Sequence, residues 1–362
     1  MRPSSNKSFV SSMPLVLLCF FLVFKLILMD RCLVHLMNEG RFQALDINAP
    51  DYSKFHPRGR LPVTYRYAST CNGGLVGDQS LVQSKEPKVN KKNAIGYIRE
   101  GFTKIQQGSY RVEMVGLMSM IISKIQHDNN IFGSIGEMGV HHGRFTGCIF
   151  ITARSGEDLI VADVFEQQDK NVDGSGLGNK HSFFQGTALY GINQSAIHTI
   201  FTGSTDEIPF DWANASNFQP FRFISVDAGH TARLTFNDLD LAFCNLARGG
   251  VVVVDDLFHG HWVGVTEGIM QYFMAGSEPN VFPFLICDNK LFMTNDRSMH
   301  STLYNALLAN PLTNGIFLDN AHTDFGGSKE FLLNNEKWLL CTDAKLQNGQ
   351  SDIVKIWEAS VY

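Results

Sequence analysis

Between residues 131 and 294, short apolar runs rich in Val, Ile and Phe alternate with amphipathic stretches, and several runs end on Asp, Glu or Gly. This alternation is the pattern of successive strand–helix units, in which each crossover helix returns the chain to lay the next strand parallel to the last. It predicts strands at 132–137, 159–164, 198–202, 222–227, 251–255, 282–287 and 291–294. Only Asp-Asn-Lys separates the last two, too short for a crossover, so they are expected to pair antiparallel. The fold class is therefore α/β: a doubly wound sheet of seven strands, mostly parallel, with an antiparallel last strand.

The chain has 362 residues, 44% of them apolar and 18% charged, enough to bury a large core. Its net charge is −5 and its Lys and Arg residues are scattered, so nucleic acid is not an expected partner. The seven cysteines form no C-x-x-C pair, which argues against a structural zinc cage. Cys148 and Cys287 stand inside apolar runs and read as buried thiols.

Four segments are expected. Residues 1–37 contain the apolar run 13–29, interrupted only by Lys25 and followed by no small-residue cleavage site, which reads as an uncleaved signal-anchor or transmembrane segment. That predicts a single-pass membrane protein with a lumenal, endomembrane or Golgi-type domain, the alternative being a secreted or soluble chain. Residues 38–93 are polar and rich in Gly, Pro, Ser and Lys, like a stem or irregular lead-in. Residues 94–295 hold the strand–helix units, and residues 296–362 form an extension packing on the core.

The chemistry-bearing residues stand at strand ends. In I-G-E-M-G-V-H-H-G-R-F-T-G the first strand ends in Glu137, and a turn through Gly139, His141 and Gly143 leads into a helix. Glycine lets such a turn approach a ligand closely, and the new helix offers unpaired N–H groups. The spacing E-x-G-x-x-x-G differs from the G-x-G-x-x-G of dinucleotide sites. Asp163, in V-A-D-V-F-E-Q-Q, falls at the carboxyl end of the second strand, where a carboxylate can accept both hydroxyls of a ribose. Gly203, Ser204 and Thr205 end the third strand, beside the place an adenine ring could occupy. Strands four and five end in Asp227 and in Asp255–Asp256. Like charges gathered at one edge need compensation, and a hard divalent cation such as Mg²⁺ on Asp227, Asp255 and Asp256 would supply it.

Together E-M-G-V-H-H-G, A-D-V-F-E-Q-Q, F-I-S-V-D-A-G-H-T, N-D-L-D-L-A and G-G-V-V-V-V-D-D resemble class I S-adenosylmethionine-dependent methyltransferases, most nearly the macrocin-type small-molecule and sugar O-methyltransferases. The resemblance implies a Rossmann-like fold. Its cofactor site would comprise Glu137, Gly139, His141, Gly143, Asp163, Gly203, Ser204 and Asp227, with metal-binding carboxylates at Asp227, Asp255 and Asp256. It also implies a small hydroxylated acceptor such as a sugar. Metal-dependent relatives place an acidic base shortly after the strand-four aspartate, where this chain has Ala228 and Gly229. His230, His259 and His261 are therefore the candidate bases. Two other classes compete: a non-catalytic Rossmann-like interaction module, and a nicotinamide-dependent oxidoreductase, which the first-turn spacing disfavours.

Overall fold

The computed structural model describes residues 86–101, 104–105, 112–275, 281–313, 316–318, 338–341, 354–355 and 357–358. In chain order the elements begin with α1 (Lys91–Gly96), a π-helical turn (Tyr97–Gly101) and α2 (Val112–Asp128). The strand–helix units follow as β1 (Ser134–Met138), α3 (Arg144–Phe150), β2 (Leu159–Asp163), α4 (Lys180–Ala188), β3 (Thr199–Thr202), α5 (Trp212–Ala215), β4 (Phe221–Val226), α6 (Ala232–Cys244), β5 (Leu246–Val254) and α7 (Val263–Ala275). The hairpin β6 (Phe282–Cys287) and β7 (Lys290–Thr294), α8 (Arg297–Ala309), β8 (Phe317–Leu318) and β9 (Leu339–Cys341) complete the order.

These strands form one sheet in the order β3-β2-β1-β4-β5-β7-β6-β9-β8. The β1–β5 pairings are parallel, and β7 runs antiparallel to both β5 and β6, as the short Asp-Asn-Lys connection requires. The strands at the centre are buried on both faces, which explains why they read as unbroken apolar runs. Alternation then divides each strand between two cores. In β5, Val251 and Val253 join α2 and α3 on one face, while Val252 and Val254 join α6 and α7 on the other.

Three findings amend the sequence reading. Among the described residues the sheet has nine strands, because β8 and β9 from the C-terminal extension add beyond β6. Cys287 is not a lone thiol: it forms a disulfide with Cys341, joining neighbouring strands β6 and β9. Cys148 is a buried thiol as expected. The single-pass, lumenal placement is corrected, since no helix among the described residues is long and apolar enough to cross a membrane. The run 13–29 that prompted it, and most of the 38–93 lead-in, lie outside the described residues.

Candidate functional site

The parallel ladder continues one residue past each strand, which sets the rim. Gly139 N donates to Ala162 O, Asp227 N to Met138 O and Asp255 N to Val226 O, at 2.8, 2.8 and 3.0 Å. Gly139, Asp227 and Asp255 are thereby held side by side above the carboxyl ends of β1, β4 and β5. Only glycine suits position 139: its φ is 83°, and a Cβ would stand 1.8 Å from the Asp227 carbonyl oxygen. His141, Phe165, Asp256 and Phe258 also hold left-handed backbone, at φ 49°, 46°, 60° and 61°. Such conformations cost energy in non-glycine residues and gather where surrounding structure enforces them.

The rim encloses a cavity of about 320 Å³, within the range of small-molecule sites. On the β1–β2 side, Asp163 accepts the backbone N–H of His141 at 2.8 Å and of Phe165 at 2.5 Å. Burial raises its pKa, and those backbone donors oppose the rise. The loop after β2 packs against the same side chain, because a Cβ on Gly178 would stand 2.8 Å from Asp163 Oδ1.

Across the cavity five charged groups interlock. Lys290 Nζ pairs with Asp255 and stands 3.8 Å from Asp227 Oδ2. Burial alone would lower the Lys290 pKa, but Asp255 and Asp227 raise it. Asp227 is pushed well above the usual carboxylate range by burial and by the neighbouring Asp255 charge. Asp255 moves downward, because Lys290 outweighs its burial. Asp256 accepts Asn289 Nδ2 at 2.8 Å and lies 3.1 Å from His230 Nε2. His230 stacks on Trp262 with centroids 4.4 Å apart. Burial works against its charged form, yet Asp173 and Asp256 hold its pKa up to about 9. The ligand atoms of Asp227, His230 and Asp256 lie within 4.8 Å of one another.

Gly139, His141, Asp163, Gly203, Ser204, Thr205, Asp227, His230, Asp255, Asp256 and His259 all line this one cavity. Other candidates stand apart. Glu137 is buried behind the rim, where it accepts the Thr146 hydroxyl and burial raises its pKa to about 7. Gly143 caps α3 at φ 87° and packs against Phe183. His261 is exposed and outside the residues lining the cavity. Asp255 faces Lys290, while His230 takes the third place beside Asp227 and Asp256.

Sequence reasoning missed Lys290 and Asp173. The signal for Lys290 was present: an antiparallel hairpin strand next to β5 pairs Val254 with Leu291 and so brings Lys290 beside Asp255. Asp173 lies in an aperiodic loop, and nothing in its local sequence announces where that loop crosses the site.

A family model described as a methyltransferase domain matches residues 137–257, from the end of β1 to the loop after β5. No curated protein is significantly similar to the chain. Among solved structures, the O-methyltransferase NovP is 15% identical, with 56% of this chain and 88% of that one covered and a TM-score of 0.42. The O-methyltransferase TomG from Streptomyces achromogenes, solved in complex with SAM, is 14% identical, with 57% and 91% covered and a TM-score of 0.41. An O-methyltransferase from Bacillus cereus, in complex with SAH, is 14% identical, with 55% and 89% covered and a TM-score of 0.41. The matched family model falls on the strands and turns that build the cavity, so residues 137–257 are similar to a methyltransferase domain.

Proposed function

We propose that this chain transfers the methyl group of S-adenosylmethionine to a hydroxyl of a small acceptor, a sugar being one candidate. The observation that carries the reading is the convergence of Asp163, Asp227, Asp256 and His230 on one cavity at the strand ends. In this reading Gly139, His141 and Asp163 hold the ribose and methionine parts of the cofactor, and Gly203 and Ser204 flank the adenine. An acidic cavity favours a ligand that carries a sulfonium and an ammonium.

The acceptor oxygen attacks the methyl carbon from behind, the carbon–sulfur bond breaks, and the hydroxyl proton must leave. Positioning supplies much of the acceleration. The proton passes to the Asp256 carboxylate, which stands 3.1 Å from His230 Nε2. A divalent cation fits Asp227, Asp256 and His230, two oxygen donors and one nitrogen, and would replace the charge the imidazolium supplies. When bound, it would lower the pKa of an acceptor hydroxyl. Asp255 is reserved for Lys290 and is left out of this set.

Incubating the full chain with methyl-labelled S-adenosylmethionine and a panel of sugars and other hydroxylated acceptors, with Mg²⁺, with Mn²⁺ or with chelator, tests the reading. Label on an acceptor oxygen supports it. Cofactor binding with no transfer to any acceptor would instead favour a non-catalytic binding module.

A further inference from the structure

Resting on that reading, we propose that Asp173, carried on the loop between β2 and α4, is a positioning residue that fixes the His230 ring so that Nε2 faces Asp227 and Asp256. The geometry is specific. Asp173 Oδ2 accepts the backbone N–H of His230 at 2.6 Å and lies 3.2 Å from its Nδ1. The other oxygen, Oδ1, accepts the backbone N–H of Ser175 at 2.9 Å, so neither carboxylate oxygen is left to turn away. With Nδ1 held on one side, Nε2 is directed to the rim, 3.1 Å from Asp256 Oδ2 and 3.9 Å from Asp227 Oδ1. Trp262 covers a face of the ring. An imidazole with one nitrogen committed to a carboxylate has a fixed orientation, and removing such a partner typically lowers activity or metal affinity about 10–100-fold.

The loop is organised to deliver this contact. Asn171 Nδ2 donates to Ser175 O at 2.5 Å and to Gly176 O at 3.3 Å, closing a turn around Asp173. Farther along, a Cβ on Gly176 would stand 3.2 Å from His141 Cδ2, and Gly178 packs on Asp163. One segment thus touches both the proposed cofactor side and the proposed reaction side. Outside its own loop, the contacts of Asp173 go to His230, so its loss should appear in turnover and not in cofactor affinity.

The test uses the full chain labelled with ¹⁵N-histidine, and its first readout needs no acceptor. The His230 Nδ1–H resonance, assigned by its absence in His230→Gln, should be present in the wild type and lost or shifted in Asp173→Ala. Calorimetry with S-adenosylhomocysteine should give an affinity within about threefold of wild type, which also establishes that the variant is folded. On any acceptor found by label transfer, kcat should fall about 10–100-fold in Asp173→Ala. Asp173→Asn, which keeps a neutral acceptor for the His230 N–H, should recover part of that loss. An unchanged resonance or an unchanged kcat in Asp173→Ala overturns the proposal. A wild type that shows the resonance but neither binds the cofactor product nor transfers methyl refutes the functional reading alone.

Discussion

The two ends of the parallel sheet handle charge in opposite ways. At the amino end of β4, Arg222 is fully buried and every guanidinium donor is used. Its Nε and one terminal nitrogen bind Glu157 at 2.5 and 2.9 Å, and the remaining bonds go to Ser123, Gln126 and Thr152 O. At the carboxyl end, Asp227, Asp255 and Asp256 crowd together with Lys290 and His230 opposing them. A satisfied buried pair fixes structure. A partly compensated cluster leaves capacity for a cationic ligand, at a cost in stability that folds commonly bear at active sites.

Breaking the lower end should have the largest effect on folding. Arg222→Met strands Glu157 in the interior and should lower unfolding stability by about 3–5 kcal/mol, read by urea titration. A loss below about 1 kcal/mol would mean that the network is dispensable.

Acid should separate the two ends next. The Glu157 pKa is held at about 2, since Arg222 outweighs its burial, and the His127 pKa is lowered to about 4 by burial and by Arg222. Both folded-state values lie below the ordinary values of 4.5 and 6.5. The His127 contribution is therefore present above pH 6.5 and lost toward about 4, while that of Glu157 is present above pH 4.5 and lost toward about 2. Behind the rim, at Glu137, the sign reverses. Glu137 is raised to about 7 by burial, so its penalty is greatest above that pH and is relieved on acidification toward 4.5. Glu137→Gln should steepen the loss of stability between pH 7 and 4.5, and Glu157→Gln should flatten it below 4.5. Identical pH profiles for the two variants would erase the distinction.

The smallest stability change is expected at the rim itself. Asp256→Asn removes one crowded charge and should shift stability by no more than about 1 kcal/mol, while methyl transfer falls at least about 100-fold. A variant destabilised as severely as Arg222→Met would show that the rim is built for structure.

What the sequence revealed follows from range. The strands β1, β2, β4 and β5 were legible because strands buried on both faces must be apolar throughout, and their terminal acids fall at one level because parallel ladders share register. Gly139 was legible from its place in the first turn. Compensation was not. Crowded carboxylates need compensation, and Lys290 and His230 supply part of it, from a hairpin turn and from a loop residue first read as a base. Asp173 and the Cys287–Cys341 bond depend on where separate segments meet, and no local periodicity records that. The added strands β8 and β9 are only two and three residues long, too short to stand out in an extension of mixed character.

The account rests on Asp163 and the first turn forming a cofactor site, which calorimetry of S-adenosylhomocysteine with the wild-type chain and with Asp163→Ala tests most directly. Saturable binding by the wild type, weakened at least about 30-fold in the variant through loss of charge-assisted hydrogen bonds, is the predicted result. Absence of binding to the wild type, or equal affinity in the two proteins, would contradict it.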